Sequence, residues 1–314
     1  MNKKEVKFDF SKLMVPVTLL AAFWAIAIVL WQAWGRTFWL FNFGYIGTSI
    51  AVGLGVYQYL PRKQKHWGRR MAQFLVGTYM LVFLGFFLGE NMQIEGFFFY
   101  LLSGLVGGSV IHYMVAKLAG PLLFNRGWCG WSCWTAMVLD LLPFKRNKSG
   151  RLPRKWEFLR YFHFALSLGL VLMLWFGFDY RGESSAVTPL FWLAAGNLLY
   201  YVIGVTLAYA LKDNRAFCKY VCPIPVLQKV SSRFSLLKVE GDAEKCNECG
   251  ACDRMCPMDI QISQYTKAQK RVLSTECILC NECIDVCSQE ALGITFGLDF
   301  GNEELLKRRT KRIV

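Results

Sequence analysis

The chain has 314 residues, of which 54% are hydrophobic and 16% aromatic, with a mean hydropathy of +0.31 and a formal net charge of +14. So apolar a composition at this length excludes an ordinary soluble domain and predicts a membrane portion. The positive charge does not point to nucleic acid, because Lys and Arg fall in short clusters beside apolar stretches, as membrane flanks do.

Residues 1–12 are polar and basic, with Lys3, Lys4, Lys7 and Lys12. An apolar run at 14–34 follows, and about 20 residues at 1.5 Å each suffice to cross a bilayer core. It is too long and too bulky for a signal peptide, with Trp24, Trp31 and Trp34 and no small-residue cleavage site. Five more spans are expected at 38–60, 72–89, 97–118, 158–178 and 190–211, six in all. Gly104-x-x-x-Gly108 in the fourth reads as close helix packing.

Basic residues alternate between the loops. The first loop has Arg36; the second has Arg62, Lys63, Lys65, Arg69 and Arg70. The third has none, only Glu90 and Glu95, which read as a solvated loop on the outer side. The fourth has Arg126, Lys145, Arg146, Lys148, Arg151, Arg154 and Lys155, and the fifth has Arg181. The alternation places both termini and all 12 Cys on the cytoplasmic side of a prokaryotic inner membrane. Thiols stay reduced there, so disulfides are not expected.

Four cysteines form a repeat. Asn125-Arg126-Gly127-Trp128-Cys129-Gly130-Trp131-Ser132-Cys133 matches Asn214-Arg215-Ala216-Phe217-Cys218-Lys219-Tyr220-Val221-Cys222 as Asn-Arg-x-aromatic-Cys-x-aromatic-x-Cys. The match suggests an internal duplication with the segments 125–133 and 214–222 facing each other. On a helix, Cys four apart share one face, Asn125 and Asn214 serve as N-caps, and the positive helix end lowers the thiol pKa. The two pairs could hold a third iron–sulfur cluster at the membrane surface. They could instead be a reversible dithiol or Cu(I) site, or buried structural cysteines. Trp128, Trp131 and Trp134 would anchor this region at the interface and shield a cluster from water.

The other eight cysteines read Cys246-x-x-Cys249-x-x-Cys252-x-x-x-Cys256-Pro257 and Cys277-x-x-Cys280-x-x-Cys283-x-x-x-Cys287. This is the bacterial ferredoxin run, present twice, in which the fourth Cys ligates the other cluster. Cluster I therefore takes Cys246, Cys249, Cys252 and Cys287, and cluster II takes Cys277, Cys280, Cys283 and Cys256. Zinc sites use two C-x-x-C pairs rather than interlocked triplets. A short helix is expected at 263–272, a closing strand at 291–296, and a solvated basic end at 307–312, whose functional alternative is contact with anionic lipid.

His112 and His163 sit at similar depth in the fourth and fifth spans. Intramembrane ionisable residues are functional candidates, here as quinone contacts. A bis-His haem is disfavoured, and hydrogen-bonded packing is the plainer account. No phosphate loop, catalytic triad or nucleotide fingerprint is recognised, so no catalytic residue is assigned.

The segments Trp128–Cys133 and Phe217–Pro223, with the two ferredoxin runs behind a polytopic anchor, resemble the NapH/NosR/CcoG family of membrane polyferredoxins. The resemblance runs from about Arg126 through the ferredoxin domain. The usual Cys-Pro is present at Cys222-Pro223 and absent after Cys133 and Cys287. It implies electron transfer between quinol or cytoplasmic donors and respiratory enzymes, or, in one branch, copper reduction during oxidase assembly. The expected fold is an all-α polytopic membrane domain at 1–230, a small α+β double [4Fe-4S] ferredoxin domain at 231–300 and a basic tail at 301–314. The expected function is electron transfer between a membrane donor or acceptor and cytoplasmic redox partner proteins; a metal reductase and a redox-sensing regulator are the alternatives.

Overall fold

The computed structural model describes residues 10–144, 149–180 and 187–309. Lys3, Lys4, Lys7, Lys145, Arg146, Lys148, Arg181, Lys311 and Arg312, singled out above, lie outside the described residues. Two compact units divide the chain, Met1–Val76 and Gly77–Val314.

In the first unit, helices Phe10–Trp34 and Thr37–Tyr59 are joined by a tight turn. Gly35 makes the turn possible: its φ of +65° suits glycine, and its N–H closes the first helix on the Trp31 carbonyl at 2.7 Å. The backbones approach closely because Gly44 and Gly47 lie beneath Trp24 and Phe23. Most of the first helix's apolar surface faces outward, as lipid permits and water does not.

Three further helices are long and apolar enough to span: Arg62–Phe87, Arg154–Gly177 and Thr188–Leu211, making five among the described residues. The protein is a membrane protein. The expected span at 97–118 is different in form. Helix Ile94–Leu102 stops, the chain turns at Ser103–Gly107, and a 17-residue apolar helix, Gly108–Phe124, follows. Phe97 stacks on Tyr113 with ring centroids 4.6 Å apart, so the chain folds back on itself.

Two causes are visible. Gly104 takes φ +67°, which ends the first helix, and the Glu90 carboxylate accepts hydrogen bonds from the Gly108 and Ser109 N–H groups at 3.2 and 2.8 Å. That carboxylate starts the second helix by satisfying its first donors. Gly104 and Gly108 are thus a turn and a carboxylate cradle, not a packing face: a Cβ at Gly108 would meet Glu90 Oε2 at 2.7 Å. Nor are the two acids solvated. Glu95 accepts from Ser167 Oγ at 2.5 Å, and its Oε2 is buried.

The C-terminal part is built on a two-stranded antiparallel sheet, β1 (Leu237–Gly241) and β2 (Leu292–Phe296), in register Leu237↔Phe296 to Gly241↔Leu292. Short helices Ala251–Met255, Ile262–Lys267 and Glu282–Val286 pack on it around Val239, Ile260, Tyr265 and Ile278. The helix expected at 263–272 is shorter because Gln269 takes φ +51° and the Val272 N–H bonds the Val239 carbonyl at 2.7 Å. The basic end is not solvated where it is described. Lys307 bonds through its N–H to the Asp259 carbonyl, Arg308 pairs with Glu157 at 3.0 Å, and Arg309 donates to the Gly150 and Leu211 carbonyls.

Candidate metal centres

Both ferredoxin runs are wound by left-handed residues at matching positions. Glu248 and Gly250 (φ +57° and +64°) flank Cys249 as Leu279 and Asn281 (φ +45° and +63°) flank Cys280. Asp259 and Glu290, each three residues after a final Cys, also have positive φ, at +56° and +51°. Such values are unfavourable for side-chain-bearing residues. Their recurrence at matching positions turns successive thiols inward. Cys246, Cys249, Cys252 and Cys287 line one cavity of about 370 Å³. Cys256, Cys277, Cys280 and Cys283 line a second, also about 370 Å³. Each cavity combines three thiols of one run with the fourth of the other. Burial pushes Cys252, Cys256 and Cys277 up to about 12, so these thiols hold their protons until a metal displaces them.

The remaining four cysteines meet across the repeat. Cys129, Cys133, Cys218 and Cys222 line a cavity of about 590 Å³. The local structure differs from a two-thiol helix face. Helices Gly127–Trp131 and Ala216–Tyr220 are only five residues long and end before the second Cys of each pair, with Cys133 extended at φ −75°, ψ 123°. Asn125 and Asn214 are not N-caps. Asn125 donates to the Ser274 carbonyl and Asn214 accepts the Phe144 N–H, each tying distant segments together. Nor does a helix end lower the thiols: burial pushes Cys133 and Cys222 up and Cys218 to about 11.

Three buried cations also line this cavity: Lys117, Arg126 and Arg215. Arg215 is held by a bidentate pair with Asp140 (2.7 and 2.6 Å), its Nη1 donating to the Cys129 carbonyl at 3.1 Å. Lys117 Nζ lies 4.9 Å from the Trp128 ring. Arg126 spends one nitrogen on Glu276 at 2.7 Å, while its buried Nε and Nη2 have no partner. Unsatisfied guanidinium donors beside four thiols suit an anionic, sulfur-ligated group. Among the described residues no three of His, Cys, Asp or Glu are placed to hold a single metal ion.

This site is fastened to the second ferredoxin run. The Arg126 N–H donates to the Cys277 carbonyl at 3.2 Å, and Trp131 Nε1 to the Leu279 carbonyl at 2.8 Å. Gly130 lies so close to the Ile278 carbonyl that a Cβ would strike it. Glu276, next to Cys277, is buried among Arg126, Arg151, Arg160 and Lys229 at 2.5–2.9 Å. Burial alone would raise its carboxyl, but the attraction of those cations prevails and holds it well below the usual range. Lys219, between Cys218 and Cys222, bridges Asp213 and Asp259 at 2.7 and 2.5 Å. Spacing gave no hint of Glu276, Asp259 or Asp140; an acid immediately before a cysteine run, in so basic a chain, is the one available signal.

His112 and His163 have separate surroundings. His112 packs edge-on to Trp128 at 4.8 Å, whereas His163 Nδ1 meets the Val221 carbonyl at 2.9 Å. Of the three tryptophans, Trp128 and Trp134 are buried and Trp131 is half-buried, and they tie segments together. Trp134 Nε1 donates to Asn197 at 2.8 Å, Trp131 to Leu279, and Trp128 is buried against His112.

Comparison with known proteins bears on this geometry. A family model described as a 4Fe-4S dicluster domain matches residues 238–288, and one described as a 4Fe-4S binding domain matches twice, at 106–151 and 195–240. The double match coincides with the cysteine repeat. The ferredoxin-type protein NapH of Escherichia coli is 26% identical over 198 residues, covering 60% of this chain and 67% of that protein. The chain is similar to the NapH-like polyferredoxins. Another relative of the chain is the methylamine utilization ferredoxin-type protein MauN of Paracoccus denitrificans, 30% identical over 163 residues (50% of this chain, 57% of that protein). An uncharacterized protein of Methanocaldococcus jannaschii is 28% identical over 237 residues, 72% of this chain and 86% of its own length. No solved structure matches the chain. Fold, motifs and relatives together identify an iron–sulfur electron-transfer protein of the membrane.

Proposed function

We propose that the chain carries electrons between the membrane and cytoplasmic-side redox partners through three iron–sulfur centres. Cys246, Cys249, Cys252 and Cys287 would hold cluster I, and Cys256, Cys277, Cys280 and Cys283 cluster II. Cys129, Cys133, Cys218 and Cys222 would hold the third, at the membrane surface. The observation that carries this is the sorting of 12 cysteines into three cavities of four each. Bound clusters supply one-electron redox chemistry at potentials set by burial, charge and hydrogen bonds to sulfur. The protein's part is to hold thiolates, offset their charge and exclude water. Lys117, Arg126 and Arg215 do this at the membrane-side site, and the Arg126 and Trp131 bonds keep it against the cluster II loop. With Gly108–Phe124 taken as the sixth crossing, the alternation of basic loops supports placing both termini and every cysteine on the cytoplasmic side.

For the membrane-side partner we favour a quinol. A cavity of about 660 Å³ between the folded-back helix and the last two spans is lined by Asn91, Glu95, Phe99, Tyr100 and Trp192. The buried, unpartnered Glu95 Oε2 offers an acceptor for a hydroxyl in otherwise apolar surroundings. Glu95→Gln should then slow quinol-driven reduction of the clusters at least tenfold while dithionite still reduces them; unchanged quinol-driven rates would remove the quinol from the scheme. The all-thiol donor set also suits Cu(I), which makes a copper reductase the second reading. It predicts copper reduction that is lost when Cys129, Cys133, Cys218 and Cys222 are replaced, with both ferredoxin clusters intact.

The direct test of the three-centre reading is EPR during stepwise reduction of anaerobically purified protein. Cys218→Ser should remove one signal and leave two. Loss of none would restrict the chain to the ferredoxin pair.

A further inference from the structure

Strand β2 turns the wrong face outward for a water-facing domain. Every second residue from Ile294 is apolar and exposed, and the pattern continues past the strand: Ile294 44%, Phe296 70%, Leu298 89%, Phe300 80%. Alternate residues of an extended chain share one face. Exposed Phe234 stacks edge-on against Phe300 at 5.6 Å, and exposed Val230 lies just before it in the chain. A contiguous apolar stripe of this kind marks an interaction surface.

The exposure is built, not left over. The Gly297 N–H donates to the Leu236 carbonyl at 3.0 Å and the Gly301 N–H to the Arg233 carbonyl at 2.6 Å. Between them the Asp299 carboxylate is drawn inward by Lys238 and by Arg271 Nη1 at 3.1 Å. With both ends and the middle pinned, Leu298 and Phe300 are left pointing away.

What covers the stripe follows from where it starts. The Leu236 N–H donates to the Leu122 carbonyl at 2.9 Å, and Ser235 Oγ to the Leu123 carbonyl at 3.4 Å. These are the last turns of the apolar helix Gly108–Phe124, where Leu122 and Leu123 are themselves exposed. Phe296 lies opposite Leu237 in the sheet, one residue beyond that junction. The stripe is therefore continuous with the lipid-facing end of a membrane helix, and exposed Arg233 beside it suits anionic headgroups.

We infer that Phe296, Leu298, Phe300 and Phe234 are inserted in the lipid headgroup region, a second attachment of the ferredoxin domain to the bilayer. The attachment restrains that domain against the membrane and leaves the cluster I end free for a soluble partner.

The test uses the full chain in nanodiscs of phosphatidylcholine and phosphatidylglycerol, with the photo-crosslinker p-azidophenylalanine replacing Phe300, Leu298 or, as a control on the cluster I loop, Glu248. Lipid adducts at 298 and 300 should exceed those at 248 severalfold. Equal yields at all three positions, or adducts only to protein, would overturn the inference. Iron content equal to that of the unlabelled chain verifies folding. Leu298, the most exposed of the four, serves if the label at Phe300 disturbs the domain.

Discussion

The ferredoxin cysteines and the membrane-side cysteines are sets of four thiols assembled in two ways. In the ferredoxin domain each run supplies three neighbouring thiols, and the local chain, bent by Glu248, Gly250, Leu279 and Asn281, does most of the positioning. At the membrane side the two pairs come from distant segments, and their approach depends on long-range ties: Arg215 to Asp140, Arg126 and Arg160 to Glu276, Asn125 to Ser274. The difference teaches that a cluster of thiols can be written in spacing or in topology. The second kind leans more on buried charges, because they are what bring its distant segments together.

The largest effect should come from the charge that joins the two regions. Glu276→Gln leaves Arg126, Arg151, Arg160 and Lys229 without their shared carboxylate. Removing one partner of a buried ion pair costs about 3–5 kcal/mol. The variant should lose cluster signals from the ferredoxin domain and the membrane side together at lower urea than the native chain. Loss at the membrane side alone would show that the two regions are not coupled through this residue.

A smaller, more local effect is expected at Gly130. Gly130→Ala drives a methyl group into the Ile278 carbonyl, and overpacking costs typically about 1–3 kcal/mol. Thermal unfolding should shift down, with the cluster II EPR signal altered and that of cluster I unchanged.

Lys117→Met sharpens the comparison without touching a thiol. Removing a buried cation from the four-cysteine cavity should lower the reduction potential there and leave both ferredoxin potentials in place. Redox titration followed by EPR reads this directly, and a uniform shift of all centres would contradict a local role.

The smallest effect concerns Glu90. Burial raises its carboxyl above 4.5, partly offset by the Gly108 and Ser109 N–H bonds. A carboxyl raised in the fold favours folding in its protonated form. Its contribution is full below the unfolded value and declines as pH rises through the folded one. Glu90→Gln should flatten that part of the stability–pH curve.

Much of this was legible in the residues. The ferredoxin runs announce themselves because their ligation is local, and the strand at 291–296 followed from its apolar residues. The repeat around Cys129 and Cys218 was visible as a pattern, but its geometry was not. Helix reasoning from four-residue spacing failed because Gly127–Trp131 and Ala216–Tyr220 stop before Cys133 and Cys222. The span at 97–118 read as continuous because hydropathy does not register a glycine at φ +67° or a carboxylate folding back onto Gly108. The basic end read as solvated because its partners, Glu157 and the Gly150 and Leu211 carbonyls, lie far off in sequence.

The measurement that tests the account most directly is iron and acid-labile sulfide per chain, on anaerobically purified native protein and on Cys218→Ser. Two cubes alone would give about eight of each, and the three-centre account predicts an excess of about two to four of each. That excess should vanish in Cys218→Ser while the eight remain. About eight in both proteins would contradict it and leave the four membrane-side thiols a different task.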